Sequence, residues 1–288
     1  MRRYLRGATA RLLQSDPPAA ARYHCDAREL GALRDRFLQL HPDAATAHFL
    51  AQGLERAFLQ ELAAELAAAL LQLCLTAADA NLLCGLGEMF VVSTAQARQL
   101  LDASGSWTRG HLFDCGAGGG GVTAQLEPLA ERVVCSEVSN SAAARLRQRG
   151  WQCEVGEIPT QPDGAFDVVT CFNVLCRAAR PLSLLRRLRD MLRPDGVMLL
   201  AIVLPFRPAV LGRARSSSSP REHFPQELIA APTFEEGVLM FSNLVLRPMG
   251  LVVSVVSRVP YYSRGTHGEY YVLDDALFAC RLKPERTA

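Results

Sequence analysis

The sequence predicts an α/β fold with a mostly parallel sheet, helices on both faces, an antiparallel C-terminal strand and a helical N-terminal extension. Three observations predict it. Short apolar runs alternate with amphipathic stretches from His111 onward, a glycine-rich turn follows the first run, and an acid lies at the end of each of the first two runs. Alternating β and α units imply parallel strands, because each crossover helix returns the chain to the same end of the sheet.

The first part of this region alternates strands and helices with ordinary end signals. The predicted strands are HLFDC, RVVCSE and WQCEV, and the predicted helices are VTAQLEPLAER and SNSAAARLRQRG. Ser139 is the expected N-cap of the second helix, since a serine hydroxyl can accept a backbone N–H there. Gly150 is its expected C-cap.

The second part continues this alternation and then changes to antiparallel pairing. Two further predicted strands are FDVVTCF and VMLLAIVLP, joined by a helix that opens at Pro181 and closes before Pro194. The amphipathic helix FEEGVLMFSNLVLRPMG comes next. The last two runs, LVVSVVSRVPYY and EYYVLDDALFACRLK, are expected to pair antiparallel.

The chain divides into three predicted segments. Residues 1–20 form a basic, flexible arm, which is compatible either with an organelle-targeting helix or with a frayed terminus. Residues 21–101 are rich in alanine and leucine at helical spacing and are predicted to be a helical N-terminal cover. Residues 102–288 form the α/β domain, with a flexible insertion at about 207–233 that contains RARSSSSPRE.

Composition excludes several classes of protein. The 288 residues carry 31 basic and 29 acidic side chains, so the net charge of +2 indicates no nucleic-acid partner. No uncharged apolar run reaches the length of a membrane span. The nine cysteines form no C-x-x-C pair and the histidines have no ligand spacing, so no metal site is predicted. We expect a monomer in a reducing intracellular compartment, with cytoplasm favoured and an association with the endoplasmic reticulum or mitochondria left open.

The stretch FDCGAGGGGVT, at positions 113–123, has five glycines in six positions. It follows a strand and opens a helix, which is the geometry of a nucleotide-type pocket. Glu137, at the end of the next strand, can accept hydrogen bonds from ribose hydroxyls at the same sheet edge. NAD, FAD and S-adenosylmethionine all fit that arrangement. Asp114 beside the turn favours S-adenosylmethionine, because a carboxylate suits a cationic sulfonium better than a pyrophosphate.

Several blocks together resemble one family. They are GLGEMFVVS, LFDCGAGGGGVT, CFNVLCRAARPL, VLPFRP and VPYY…EYYVLDDALF, spread over about 200 residues from near Leu82 to the C-terminus. In order and spacing they resemble the family of methyltransferase-like protein nine, also called DREV. The tail YYVLDDA and the VLPF block are more particular to that family than the glycine turn is. The resemblance implies a class I, Rossmann-like methyltransferase that uses S-adenosylmethionine.

The same resemblance implies a protein-histidine methyltransferase that modifies the pros nitrogen, Nδ1, of histidine in His-x-His motifs. Its partner would be a protein or peptide with that motif. Asn173 and Tyr271 are implied to hold the target imidazole. The residues implied to line the cofactor site are Asp114, Gly116, Ala117, Gly118, Glu137, Val138 and Asn173.

One position departs from the family pattern. The family loop reads N-x-x-D, with an acid that helps to orient the imidazole, whereas this chain has Cys176 in NVLC. A neutral thiol is a weak acceptor, so it does not replace a carboxylate. Asp274 and Asp275 are candidates for that acid by closeness in sequence alone. A methyltransferase for another protein or small-molecule substrate, and a catalytically silent cofactor-binding protein, stay as alternatives.

Overall fold

A computed structural model describes residues 22–55, 58–74, 77–206, 222–264 and 270–284. The strands are, in chain order, β1 Met89–Phe90, β2 His111–Cys115, β3 Arg132–Glu137, β4 Gln152–Val155, β5 Phe166–Phe172, β6 Leu192–Val203, β7 Leu251–Arg264 and β8 Tyr270–Leu282.

The α-helices are α1 Ala44–Glu55, α2 Phe58–Leu71, α3 Ala77–Leu83, α4 Thr94–Ala103, α5 Gly121–Leu126, α6 Asn140–Gln148, α7 Pro181–Met191, α8 Gln226–Ala230 and α9 Phe234–Phe241. A 3-10 segment covers Ala27–Arg36, a second one, Glu127–Leu129, follows α5, and α9 continues as a π-turn, Ser242–Leu246, and a 3-10 turn, Arg247–Met249.

The eight strands form one sheet in the order β1-β7-β8-β6-β5-β2-β3-β4. The strands from β4 to β6 are parallel neighbours, and β8 is inserted antiparallel between β6 and β7. The predicted α/β fold with a mostly parallel sheet is therefore confirmed. Because β2 lies between β3 and β5, the chain winds in opposite directions from the middle of the sheet. The carboxyl ends of these strands border the cleft where such folds bind ligands.

Helices cover both faces, and each face has its own apolar cluster. Leu184 and Leu188 of α7 are fully buried on one side, together with Phe241 of α9. On the other side α4 contributes Leu100 and Leu101. Burial of a leucine side chain stabilises the fold by about 1.5–3 kcal/mol. The inner strands are accordingly apolar on both faces, which is why they appear in the sequence as continuous runs.

Some predicted boundaries differ from the observed ones. Helix α7 ends at Met191, and β6 already begins at Leu192, so Pro194 lies in the strand rather than beyond the helix. Ser139 caps α6 as predicted, its hydroxyl accepting the Ala142 N–H at 3.1 Å. Gly150, with φ of 92°, stands one residue past the C-cap, Arg149.

The three-segment division stays a prediction. The segment 21–101 is not wholly helical, because β1 pairs antiparallel with β7. Helix α4 runs across the predicted boundary at 101. The arm at 1–20 and most of the insertion, 207–221, lie outside the described residues, and α8 occupies part of the rest.

All nine cysteines are free thiols, and six of them are buried. Within the described ranges no helix has the length and apolar character needed to cross a bilayer. The same ranges contain no cluster of histidine, cysteine or acidic side chains suited to a metal ion.

Candidate active site

The glycine-rich turn after β2 has a backbone that other residues do not tolerate. Gly116 and Gly118 both have positive φ, at 70° and 55°. The N–H groups of Gly116 and Ala117 donate to the carbonyl of Ser136 at 2.9 and 3.1 Å, which holds the turn against the end of β3. A Cβ on Gly116 would lie 2.4 Å from Cγ2 of Val174. The glycine is therefore required both by its φ and by the loop after β5.

Glu137 ends β3 and connects two turns through its carboxylate. Oε2 accepts the Gly118 N–H at 2.8 Å, and Oε1 accepts the N–H groups of Val138 and Ser139 at 2.8 and 3.0 Å. The side chain is 9% exposed, whereas Val138 is 66% exposed. Since a carboxylate offers about four acceptor positions, Glu137 keeps capacity for a ligand hydroxyl beside the glycine turn.

Glu137→Gln is expected to weaken S-adenosylhomocysteine binding about 10- to 100-fold. An amide places an N–H₂ group against one of the N–H donors that the carboxylate now accepts, and a hydrogen bond to a charged group contributes about 1.5–3 kcal/mol. Isothermal titration calorimetry measures the change. Glu127→Gln is the matched control, because Glu127 accepts from Trp151 at 2.9 Å outside this turn. Wild-type affinity in Glu137→Gln would contradict the assignment.

Asp114 lies beneath the turn rather than in the open cleft. Its two oxygens accept the hydroxyls of Thr123, at 2.6 Å, and Thr170, at 2.7 Å. The side chain is 3% exposed, and burial raises its pKa to about 6. Asp114 therefore ties α5 and β5 to β2 and supports the turn from below. Its direct contact with the cofactor stays a prediction.

Asn173 follows β5 at the carboxyl edge and has a φ of 59°, the only positive value for a non-glycine residue in the described chain. Its Nδ2 donates to Oδ2 of Asp275 at 2.6 Å. Both side chains are buried, at 4% and 0% exposure. Two acceptor atoms, Oδ1 of Asn173 and Oδ1 of Asp275, have no hydrogen-bond partner among the described residues. Buried acceptors without a donor are unfavourable, so this pair indicates a place for a ligand N–H or O–H.

The groups around Asp275 carry opposing charges. Burial raises the pKa of the Asp275 carboxyl to about 8, while the hydrogen bond from Asn173 and the charge of Arg177 act against that rise. Arg177 donates to the Tyr261 hydroxyl at 3.3 Å. The Cys176 thiol donates to the backbone carbonyl of Asn173 at 3.5 Å, and burial raises its pKa. Cys176 is therefore a neutral thiol, and the acid nearest Asn173 is Asp275.

Tyr271 lies in β8, opposite Ser263 of β7. Tyr271 is 59% exposed near the start of β8. It precedes Asp275 by four residues, which is about 13 Å along a strand. Tyr270 instead is buried against Phe49. The role of Tyr271 stays a prediction.

Sequence reasoning also missed residues that the fold recruits to this edge. Thr123, Thr170 and Arg177 were not among the candidates. The threonines are small polar residues inside otherwise apolar elements, which is a usable signal for a buried partner. Arg177 and Tyr261 are separated by 84 residues, and no local pattern joins them.

A cavity of about 390 Å³ lies between α1, the segment 85–90 and the glycine turn. Its lining includes Ala117 and Gly119 of the glycine turn and Phe49 and Met89 of the N-terminal segment. Neither Glu137 nor Asn173 lines it. The N-terminal segment therefore covers the glycine turn and leaves space beside it.

Three features define a class I methyltransferase. They are a mostly parallel sheet with the antiparallel strand β8 inserted, a glycine turn after β2, and an acid, Glu137, at the end of β3. The sequence profile of the DREV methyltransferase family matches residues 22–282, and the chain belongs to that family. It is a methyltransferase that uses S-adenosylmethionine. The residues at the turn fit that cofactor, because the bare backbone at Gly116 and the spare acceptor capacity of Glu137 meet its needs.

Several solved structures are similar to parts of this chain at low identity. An S-adenosylmethionine-dependent methyltransferase from Aquifex aeolicus is 17% identical, with a TM-score of 0.41 over 64% of this chain and 89% of that one. The protein of echinomycin biosynthesis that converts a disulfide into a thioacetal is 16% identical, with a TM-score of 0.44 over 66% and 82%. A complex between the Trm112 methyltransferase activator from Haloferax volcanii and a methyltransferase matches at 20% identity and a TM-score of 0.32, over 36% of this chain and only half of that one.

Proposed function

We propose that this methyltransferase modifies the Nδ1 atom of histidine in His-x-His motifs of proteins. The observation that carries the proposal is the unpartnered Oδ1 of Asn173, which is buried at the same sheet edge as the glycine turn. An acceptor in that place suits a ring N–H of a neutral imidazole. The family resemblance supports the same substrate.

The reaction does not need a strong general base from the protein. S-adenosylmethionine supplies an electrophilic methyl group on a positively charged sulfur. A neutral imidazole has a lone pair on one nitrogen and a proton on the other, and its pKa of about 6.5 keeps it mostly neutral at pH 7. Asn173 accepts the Nε2–H, so Nδ1 presents its lone pair. With S-adenosylmethionine bound, its methyl group would pass from sulfur to Nδ1, the bonding electron pair would stay on sulfur, and the ring would then release the Nε2 proton to solvent.

The remaining candidates have roles around this centre. Gly116, Ala117 and Gly118 approach the cofactor through bare backbone or a small side chain. Glu137 accepts the ribose hydroxyls, and Val138 lies beside it on the open side. Asp114 supports the turn, as its threonine contacts suggest.

Tyr271 is proposed to hold the imidazole together with Asn173. The partner is a protein or peptide substrate, and we propose a monomer. A reducing intracellular compartment is proposed because all nine cysteines are free thiols.

Peptides containing Ala-His-Ala-His are expected to take up labelled methyl groups, whereas Ala-Ala-Ala-Ala peptides are not. Mass spectrometry of the hydrolysed product distinguishes pros- from tele-methylhistidine, and the pros isomer is expected. Exclusive tele-methylhistidine would contradict the proposed position, and methylation of another side chain would contradict the substrate.

A catalytically silent cofactor-binding protein is the second candidate. The observation that favours it is Cys176, whose neutral thiol stands where the family has an acid. The same experiment separates the two candidates. Calorimetric binding of S-adenosylhomocysteine with no methyl transfer to peptides or to a cell extract would support the silent protein.

A further inference from the structure

The buried pair formed by Asn173 and Asp275 joins two distant parts of the chain. The residues are 102 positions apart, and their contact bridges the end of β5 and the middle of β8. In the sheet, Asp275 lies opposite Val203, at the end of β6. The carboxyl group therefore reaches the ligand edge from an antiparallel strand, and the glycine turn lies at the same edge.

The contact determines how the amide of Asn173 is oriented. The atom of Asn173 that faces Asp275 is Nδ2, which donates to Oδ2 at 2.6 Å. Once Asp275 is ionised its carboxylate is an acceptor only, and no other orientation of the amide then makes a hydrogen bond. The oxygen Oδ1 is left on the other side without a donor among the described residues. An amide without this partner has no such preference and can present either atom.

We propose that Asp275 is a positioning residue that holds the Asn173 amide with Oδ1 available to the acceptor substrate, so that only a group donating an N–H or O–H is bound in line. The inference rests on the proposed function where it names imidazole as that donor. An amide turned the other way would donate to the ring. It would then select the tautomer with the proton on Nδ1, which has no lone pair to attack.

Several groups decide the charge of this carboxyl. Arg177 on the loop after β5 favours ionisation, as does the hydrogen bond from Asn173, whereas Asp274 on the same strand opposes it. Cys176 and Tyr261 also lie close enough to interact with it. Burial outweighs these effects, and the pKa is raised to about 8. The Asp275 carboxyl therefore ionises near pH 8, and the side-chain amide of Asn173, which is hydrogen-bonded to it, senses that ionisation.

Nuclear magnetic resonance tests the contact without any substrate. The chain has only four asparagines, at positions 81, 140, 173 and 243, so selective ¹⁵N-asparagine labelling gives four side-chain amide pairs. Asn173→Ser identifies the pair of interest by its loss. In the wild type this pair is expected to shift with one pH step near the Asp275 pKa of about 8. In Asp275→Asn, which adds a fifth pair and is compared with its own Asn173→Ser double variant, the step is expected to disappear.

Asp274→Asn is the matched control. Asp274 forms an ion pair with Arg258 at 3.1 Å and makes no contact with the Asn173 amide. Its charge raises the pKa of Asp275, so the Asn173 step is expected to persist and to move to lower pH. An Asn173 pair that does not titrate, or that titrates equally in Asp275→Asn, would overturn the inference.

Enzyme kinetics test whether the contact between Asn173 and Asp275 affects the substrate. With Ala-His-Ala-His peptide at pH 9, where Asp275 is ionised, Asp275→Asn is expected to lower kcat/KM about 10- to 100-fold, the equivalent of one charge-assisted hydrogen bond, and to raise the tele fraction of the product. A merely structural role would not change that fraction. If the wild type produces no methylhistidine but Asn173 titrates with Asp275, the proposed function fails and the contact stands. If methylation occurs without that titration and with an unchanged product, the positioning role alone fails.

Discussion

Asp275→Asn is expected to raise the free energy of unfolding by about 5 kcal/mol at pH 9, but by less than about 2 kcal/mol at pH 5. In the folded chain the pKa of Asp275 is raised from 3.8 to about 8 by burial. Below pH 3.8 the carboxyl is protonated in both states, and the full stability is present. As the pH rises toward 8 the unfolded chain ionises and the folded chain does not, so stability is lost. Asparagine has no charge to bury.

Urea unfolding followed by circular dichroism from pH 5 to pH 9 measures this difference. The pKa of Asp114 is also raised, to about 6. Because Asp114 is present in both the wild type and Asp275→Asn, its effect on the free energy of unfolding cancels in the difference between them. Asp274→Asn serves again as control, and its stability difference from the wild type is expected to be much smaller. A stability difference between Asp275→Asn and wild type that is the same at pH 5 and pH 9 would refute a raised pKa.

Gly116→Ala is expected to destabilise the protein by about 2–5 kcal/mol and to abolish measurable cofactor binding. Two effects add. The positive φ costs an alanine about 1–2 kcal/mol, and a displaced packed side chain costs about 1–3 kcal/mol more. The new methyl group would lie 2.4 Å from Cγ2 of Val174, so the loop that carries Asn173 must also move.

Gly118→Ala is the matched comparison. Its φ is also positive, at 55°, but its Cβ would meet only Cε of Met89, at an ordinary 3.7 Å. Alanine there is expected to cost about 1–2 kcal/mol, from backbone strain alone. Thermal unfolding and calorimetry with S-adenosylhomocysteine measure both variants. Equal losses of stability would mean that contact with Val174 contributes nothing.

Local sequence patterns were sufficient for most of the fold. The apolar runs became β2, β3, β4, β5 and β6, since a strand buried on both faces needs apolar residues throughout. The last two runs pair antiparallel as expected. The start of β6 was missed, because Pro194 and Gly196 look like a helix end and the sheet nevertheless continues through them. The pairing of β1 with β7 was also missed, because two residues carry no periodicity.

Some residues of the candidate site could likewise be predicted from local sequence, and others could not. The glycine turn and Glu137 could be predicted because backbone freedom and strand-end position are local properties. Asp114 was identified as a site residue, but its hydroxyl partners, Thr123 and Thr170, were not. Tyr271 came from the resemblance alone, and its side chain is 59% exposed.

By itself the sequence determined the class of fold, the cofactor and the family, because these depend on residue types at short spacing along the chain. Only the tertiary structure decided which acid approaches Asn173. Cys176 is three residues from Asn173 and Asp275 is 102 residues away, yet the carboxyl that contacts the amide comes from β8. Antiparallel insertion of β8 beside β6 brings that strand to the ligand edge, and strand order is a property of the whole sheet.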